Sequence, residues 1–190
     1  MHYRMGKILI FSAPSGTGKS TIIQFLMKKN LNLQFSISAT SRPPRGKETN
    51  GIEYFFLTPE DFQQRIRNNE FIEYEEVYPN RFYGTLKSQV EEQLKNHNIV
   101  FDIDVKGACN IKRLYKEQAL SIFIMPPSIE DLRTRLINRG TETMENIETR
   151  LKRAEEELSY ARLFDKTIVN DNLEVAEEET YTLVKNFLER

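Results

Sequence analysis

The sequence is poor in the residues from which disulfide frameworks and metal clusters are built. Its 190 residues include one cysteine, Cys109, and two histidines, His2 and His97. A single cysteine excludes an intramolecular disulfide framework and a cysteine-rich zinc site, and two histidines are too few for a histidine-based metal cluster. Because such sparing use of cysteine is typical of a reducing compartment, we expect a cytoplasmic protein.

Long apolar segments and an excess of one charge are also lacking. The apolar run at residues 8–11 is far too short for a transmembrane helix, and a Gly-rich turn with a lysine follows it, unlike a signal peptide. Lys+Arg 27 against Asp+Glu 28 gives a net charge of −1, so no global field attracts nucleic acid or an anionic membrane. We therefore expect neither as a partner.

Short apolar runs alternate with longer segments of helical period. This pattern predicts a single α/β domain over residues 1–190, with a mostly parallel sheet flanked by helices. Strands are predicted at residues 7–13, 52–57, 71–77, 98–105, 120–125 and 167–169. Helices are predicted at residues 19–29 and 86–96, and within 139–161. Two more are predicted to begin at caps, one after Thr58 and one from Ser128 to about residue 138. A C-terminal helix is predicted with an inward face made of Leu173, Ala176, Thr180, Leu183 and Phe187.

The most specific motif lies between the first predicted strand and the first predicted helix, which is the context that a P-loop requires. Its glycines let backbone N–H groups converge on phosphate oxygens, and the helix N-terminus adds partial positive charge. Lys19 can reach the β- and γ-phosphates, and the Ser20 hydroxyl can ligate Mg²⁺. The residues predicted to bind the phosphates of a nucleotide are Ala13, Pro14, Ser15, Gly16, Thr17, Gly18, Lys19, Ser20 and Thr21.

One residue of this motif departs from the strict pattern. Ala13 stands where the pattern has glycine, which is tolerable if φ is negative there. The motif indicates a nucleotide without choosing among GTPases, ATPases and small-molecule kinases.

Two further features carry charge suited to a phosphate or a base. Arg42 and Arg45 flank a stiff Pro-Pro segment and can bind phosphate bidentately, although an isolated pair is more often a solubilising basic loop. Asp102 and Asp104 are predicted to share one face of a strand. Two like charges at the end of an apolar strand are costly without a cation or donor, which favours a functional role.

Four more segments complete an ordered series: Asn50-Gly51-Ile52-Glu53-Tyr54, Asn69-Glu70-Phe71-Ile72-Glu73-Tyr74, Arg81-Phe82-Tyr83-Gly84-Thr85 and Asp102-Ile103-Asp104-Val105-Lys106-Gly107. With the P-loop and the arginine pair, the chain resembles the guanylate kinase family from about Lys7 to its C-terminus. The resemblance implies a P-loop NTPase core (residues 1–35, 88–125 and 158–190), a small β-rich GMP-binding subdomain (36–87) and a helical lid (126–157). The chain departs from the family pattern at Lys106 and by one extra residue between Glu73 and Tyr83.

The resemblance also implies roles for individual side chains. Those implied to hold the phosphate of GMP are Arg42, Arg45, Tyr54 and Tyr83. Those implied to contact guanine are Glu73 and Asp104, as acceptors for its N–H donors, and the hydroxyls of Ser38 and Thr85. Asp102 is expected to partner Mg²⁺ or the phosphate loop. Tyr54 could instead be simple core, and Glu73 an exposed strand carboxylate.

Two segments resemble the family's lid motifs: Arg139-Gly140-Thr141-Glu142-Thr143 and Ile147-Glu148-Thr149-Arg150-Leu151. The resemblance implies that Arg139 and Arg150 act with Lys19 as catalytic cations on the transferring phosphoryl group. The alternative is a charged surface helix with pairs such as Glu148–Lys152. Asn170 is implied to lie near the adenine of ATP, and a simple turn there is an equal alternative.

The implied reaction is ATP + GMP = ADP + GDP, with Mg²⁺ as cofactor and ATP as co-substrate, in purine nucleotide metabolism. A monomer or a homodimer is expected. The alternatives are a non-catalytic guanylate-kinase-like module that binds a partner protein, and a P-loop kinase for another small acceptor.

Overall fold

The computed structural model describes residues 5–140 and 143–190, so that His2 and, in the predicted lid motif, Thr141 and Glu142 lie outside the described residues. The strands are β1 (Ile8–Ser12), β2 (Leu33–Phe35), β3 (Ala39–Thr40), β4 (Phe55–Phe56), β5 (Phe71–Tyr78), β6 (Arg81–Leu86), β7 (Asn98–Asp102), β8 (Ala119–Met125) and β9 (Lys166–Val169). The helices are α1 (Lys19–Met27), α2 (Pro59–Arg67), α3 (Lys87–Leu94), α4 (Val105–Tyr115), α5 (Ile129–Arg139), α6 (Met144–Ser159) and α7 (Leu173–Glu189).

One sheet has five strands in the order β2-β7-β1-β8-β9. β1 pairs in parallel with β8, from Ile8 beside Ala119 to Ser12 beside Phe123, and β8 pairs in parallel with β9. All five residues of β1 are buried. A continuous apolar strand of this kind is typical of a parallel sheet covered by helices on both faces. The predicted α/β class and its mostly parallel sheet are therefore confirmed.

The chain divides into two compact units, and the boundaries run through β2 and β7. The first unit holds the described residues up to Lys7 together with Gln34–Val100, and the second holds Ile8–Leu33 and Phe101–Arg190. The predicted GMP-binding residues 36–87 fall in the first unit, and the predicted lid residues 126–157 fall in the second. The finer division into core, GMP-binding subdomain and lid stays a prediction.

A second sheet, of four strands in the order β4-β3-β6-β5, forms the first unit's scaffold. Its core consists of buried Ala39, Phe62, Phe71, Phe82 and Leu86. Phe62 of α2 stacks on Phe71 and on Phe82, with ring centroids 4.3 and 5.3 Å apart. α2 is fixed here because apolar contact area and ring stacking both favour this packing.

The hairpin between β5 and β6 has an irregular register. Its register shifts between Glu76 and Tyr78, as a β-bulge that adds one residue to a strand would do. Asn80 takes a positive φ of 62° in the turn, and its backbone N–H donates to Glu76.

Several boundaries follow the sequence signals. Thr58 and Ser128 cap α2 and α5, and each accepts a hydrogen bond from a backbone N–H three residues on. Two predicted strands were wrong in extent. The strand predicted at 52–57 is limited to the two residues of β4, and the strand predicted at 98–105 ends at Asp102. The inward face predicted for α7 is confirmed for Ala176 and Thr180, which are fully buried, and was wrong for Leu173, which is exposed; Val184 is buried as well.

Within residues 5–140 and 143–190, none of the helices combines the length and the apolar character that crossing a membrane requires.

Candidate nucleotide-binding sites

The loop between β1 and α1 has the backbone shape of an anion cradle. Gly16 and Gly18 have φ of +93° and +91°, a left-handed conformation that residues with a Cβ rarely adopt. Gly18 is the N-cap of α1, and no side chain caps that helix start. The start of α1 is therefore open to an anion, which the helix dipole also favours.

The alanine in place of the first glycine fits this loop. Among the described residues, the non-glycine positions with positive φ are Asn32, Asn69, Asn80 and Lys116. Ala13 is not one of them, so its Cβ meets no left-handed strain. The condition under which the departure is tolerable is met.

A cleft of about 940 Å³ opens beside this loop, and its charged lining has five cationic side chains against three carboxylates. The loop residues 13–21 line it together with residues from β7, α5 and α6, including Asp102, Arg135, Arg139 and Arg150. The structure thus brings Lys19 and both predicted lid arginines to one cleft within the second unit. Such a concentration of positive charge suits a triphosphate.

Lys19 has a carboxylate partner in this cleft. Its Nζ lies 2.5 Å from Oδ1 of Asp102, and both side chains are partly exposed. An ammonium on a flexible stem can move from a carboxylate to a phosphate, because both are anionic oxygens. Asp102 is therefore a contact of the phosphate loop's lysine.

Arg150 reaches the phosphate loop from α6, where its Nη1 donates to Oγ of Ser15 at 2.5 Å. α6 is packed on α5 through a small apolar core that includes Leu132, Leu136, Ile147 and Leu151. The guanidinium of Arg133 adds a two-point contact with the carboxylate of Glu148, which raises the pKa of Arg133. Glu148 therefore pairs with Arg133 of α5. The surface-helix alternative had predicted a pair between Glu148 and Lys152.

Asn170, predicted to lie near adenine, contacts the phosphate loop itself. Its side chain is buried, and Nδ2 donates to the carbonyl of Thr17 at 2.7 Å. A Cβ on Gly18 would come within 2.4 Å of that same Nδ2, so the close approach also depends on glycine. Arg135, which sequence analysis did not select, donates from Nη2 to the Asn170 carbonyl at 2.8 Å.

The shared strand face predicted for Asp102 and Asp104 was wrong. β7 ends at Asp102, and Asp104 is the N-cap of α4. The Asp104 carboxylate accepts hydrogen bonds from the backbone N–H groups of Lys106 (2.8 Å) and Gly107 (3.0 Å). Aspartate is among the best N-cap residues, and this local preference ends the strand pattern after one acid.

In the first unit, the structure brings Arg42 together with both predicted tyrosines. Arg42 is buried, and its guanidinium lies over the rings of Tyr54 (4.9 Å) and Phe56 (5.6 Å). The rings of Tyr54 and Tyr83 meet edge to face, with centroids 6.0 Å apart. Tyr54 is therefore a partner of the arginine and does not belong to the apolar core of this unit.

The group that holds Arg42 was not among the residues predicted from the sequence. The carboxylate of Glu48 accepts from Nη1 at 2.6 Å and from Nη2 at 2.7 Å. The pair raises the pKa of Arg42, and it lowers the pKa of Glu48 to about 2 through this hydrogen bond and that from the backbone N–H of Arg45. Residues 41–49 form an irregular loop, so no helical or strand period in the sequence pointed to this pair. The Arg45 side chain is exposed.

The predicted base contacts Glu73 and Thr85 are neighbours across β5 and β6. The Thr85 hydroxyl donates to Oε1 of Glu73 at 2.6 Å, and Thr85 is buried. Glu73 is half-buried and therefore not a fully exposed strand carboxylate. Ser38 is half-buried just before β3, and its carbonyl accepts from Phe55.

The residues of the cleft fit a magnesium ion that arrives with a nucleotide. In the part of the chain that the structure describes, no group of three or more His, Cys, Asp or Glu side chains could hold a metal by itself. Mg²⁺ needs no such group, because it binds substrate phosphates, water and one or two protein oxygens. The exposed hydroxyl of Ser20 lines the cleft and can supply one oxygen.

The chain is similar to known proteins over nearly its whole length. A family model described as guanylate kinase matches residues 5–190. The chain is 64% identical to the guanylate kinase of Bacteroides thetaiotaomicron over 186 residues, which cover 97% of this chain and 91% of the relative. It is 56% identical to the guanylate kinase of Porphyromonas gingivalis, with 97% and 99% covered. A crystal structure of guanylate kinase from Anaplasma phagocytophilum superposes with a TM-score of 0.71 at 32% identity, covering 98% of this chain and 88% of that one.

Proposed function

Because this chain belongs to the guanylate kinase family, we propose that it transfers the γ-phosphoryl group of ATP to GMP, giving ADP and GDP. The observation that carries the proposal is the cationic cleft at the P-loop, where Lys19, Arg139 and Arg150 converge beside the open start of α1. Phosphoryl transfer needs positioning and positive charge more than covalent chemistry, and this cleft supplies both.

On the ATP side, the loop from Ala13 to Thr21 holds the phosphates through backbone N–H groups. Lys19 leaves the carboxylate of Asp102 to contact the β- and γ-phosphates. Arg139 and Arg150 stabilise charge on the phosphoryl group as it moves between oxygens. Mg²⁺ would be held by Ser20 and the nucleotide, and it would neutralise charge on the transferred group.

On the acceptor side, Arg42, Arg45, Tyr54 and Tyr83 hold the phosphate of GMP. The Arg42 guanidinium provides planar donors for phosphate oxygens, and the tyrosine hydroxyls add polar contacts around it. We assign these four side chains together because three of them are already in mutual contact.

Selectivity for guanine is assigned to Glu73, Thr85 and Ser38. The family resemblance alone assigns Asp104 to the same role, and in this structure Asp104 lines the cleft at the P-loop. Guanine presents adjacent N–H donors that suit a carboxylate, whereas adenine presents an unprotonated N1 there. Thr85 has one hydroxyl proton, which it donates to Glu73 in this structure, so it orients the carboxylate that reads the base. A site built to pair with a donor strongly rejects a ligand that lacks it.

Asn170 is proposed to serve ATP binding through the P-loop carbonyl that it holds. The reaction belongs to purine nucleotide metabolism, and the single cysteine supports a reducing, cytoplasmic setting. Oligomeric state is proposed as monomer or homodimer.

The test is an ADP-release assay with ATP, Mg²⁺ and, separately, GMP, AMP, CMP and UMP. Turnover with GMP far above that with the other three is expected. Lys19→Met is expected to reduce kcat by at least about 10²-fold, the usual cost of losing one group that stabilises transition-state charge. Absence of turnover with all four acceptors, while GMP still binds, would favour a non-catalytic binding module. Turnover with AMP, CMP or UMP that equals or exceeds turnover with GMP would mean that GMP is not the preferred acceptor.

A further inference from the structure

The carboxylate of Glu48 is bound at three points close to the proposed phosphate site. Oε2 accepts from Nη1 of Arg42 at 2.6 Å and from the backbone N–H of Arg45 at 2.7 Å. Oε1 accepts from Nη2 of Arg42 at 2.7 Å. One side chain therefore connects the two arginines expected to bind the acceptor's phosphate.

Two aromatic rings also lie close to the Arg42 guanidinium. The rings of Tyr54 and Phe56 lie 4.9 and 5.6 Å from its central carbon. Cation–π contacts fix the plane of the guanidinium without fixing rotation within that plane. The two-point contact with Glu48 fixes the rotation, because a fork of two N–H groups fits a carboxylate in one orientation.

Counting donors shows which edge of Arg42 is left for a ligand. A guanidinium has five N–H groups, of which Glu48 takes one on Nη1 and one on Nη2. The carbonyl of Pro43 takes the other N–H on Nη1 at 3.0 Å. The remaining N–H groups, on Nε and Nη2, share one edge, and the phenol of Tyr83 lies near enough to this side chain to help raise the pKa of Arg42. That edge is itself a bidentate fork.

We propose that Glu48 is a positioning residue for the acceptor's phosphate: it holds Arg42 so that the fork formed by Nε and Nη2, beside Tyr83, binds the phosphate. The inference rests on the proposed function and deepens it. Glu48 has this role without contacting the substrate, and its backbone contact to Arg45 sets the turn from which the second arginine extends.

A simple electrostatic view predicts the opposite effect of Glu48 on GMP binding. A carboxylate near a phosphate site repels the ligand or occupies its arginine, so its removal would tighten GMP binding. If Glu48 positions Arg42, its removal weakens GMP binding despite the loss of a negative charge. The sign of the change in KM therefore separates the two roles.

The experiment compares Glu48→Gln, which keeps the size and removes the charge, with Glu48→Asp, which keeps the charge and shortens the side chain. The matched control is Glu53→Gln. Glu53 lies in the same segment, is exposed, and accepts from the backbone N–H of Thr49. Steady-state kinetics with ATP and GMP, and calorimetric titration with GMP alone, are measured for all four proteins, and thermal unfolding checks that each is folded.

We expect both Glu48 variants to raise the KM and the Kd for GMP roughly tenfold, equivalent to losing about one charge-assisted hydrogen bond. The KM for ATP and the values for Glu53→Gln are expected to stay within about twofold of wild type. A lower KM for GMP in Glu48→Gln would overturn the proposal in favour of competition. An unchanged KM with only reduced thermal stability would overturn it in favour of a structural role. Failure of the wild type to phosphorylate GMP would instead contradict the proposed function.

Discussion

Asn170 is hydrogen-bonded to the phosphate loop: its Nδ2 donates to the carbonyl of Thr17 at 2.7 Å, and both residues are buried. The backbone N–H of Asn170 donates in turn to Met125 at the end of β8, at 2.8 Å. The residue after β9 thus ties the loop to the carboxyl edge of the parallel sheet. Ligands of open α/β folds bind at that edge.

Replacing Asn170 by alanine is expected to weaken ATP binding. The Thr17 carbonyl would lose a buried donor, at a cost of about 1–3 kcal/mol in the free energy of unfolding. The loop would also lose the contact that holds it, so the KM for ATP should rise severalfold while the KM for GMP changes little. Steady-state kinetics with each substrate varied in turn measure this.

Asn172→Ala is the matched control for that variant. Asn172 caps α7 by accepting from the backbone N–H of Val175, and losing this cap costs about 0.5–2 kcal/mol. Its loss should lower stability and leave the KM for ATP unchanged. An equal rise in that KM for both variants would mean that general destabilisation, and not the contact with Thr17, weakens ATP binding.

Arg150→Ala is expected to reduce kcat by about 10³-fold, the lower part of the range for an arginine that stabilises a transferring phosphoryl group. Its guanidinium already contacts Ser15 of the phosphate loop. The control is Lys152→Ala, an exposed cation on the same helix, which should retain wild-type kcat. Single-turnover measurements distinguish a chemical defect from slow product release. Similar losses of kcat in both variants would mean that kcat depends on the net positive charge of α6 and not on Arg150 itself.

The pair of Arg42 and Glu48 predicts a component of stability that depends on pH. The pKa of Glu48 is lowered from 4.5 to about 2, so the folded state favours the carboxylate. Stability from this pair is therefore fully present above pH about 4.5 and is lost as pH falls towards 2. Thermal unfolding across this range should show the difference between wild type and Glu48→Gln shrinking as pH falls. A constant difference would contradict it.

Asp165 is expected to matter for stability without affecting catalysis. Its Oδ2 accepts from the Ser121 backbone N–H, the Ser121 hydroxyl and Lys112 Nζ, each at 2.8 Å. These contacts outweigh desolvation and lower the pKa of Asp165. Because the site is partly exposed, Asp165→Asn should cost about 1–2 kcal/mol in chemical denaturation.

Glu179→Gln is the control, because it removes the same charge from an exposed position on α7. It should change stability by less than about 0.5 kcal/mol. Both variants should keep the wild-type KM values. A reduced kcat for Asp165→Asn alone would show that this cluster acts on the site.

Features that depend on residues close together in the sequence were predictable, and features that depend on distant residues were not. The P-loop was predictable because its shape comes from consecutive residues, and the left-handed glycines at 16 and 18 are where the motif requires them. The caps of Thr58 and Ser128 were predictable for the same reason. Asp104 was assigned to a strand because period-2 alternation and helix capping compete over the same few residues, and the cap prevailed.

By itself, the sequence determined the α/β class, the nucleotide loop and the identity of the candidate side chains, because these depend on short-range pattern and backbone preference. Only the tertiary structure decided three contacts: the two-point contact of Glu48 with Arg42, the hydrogen bond from Asn170 to Thr17, and the pair of Glu148 with Arg133. Each of these contacts selects one partner among many charged or polar side chains. That selection depends on where packing of the apolar core places the donors and acceptors, which no local pattern encodes.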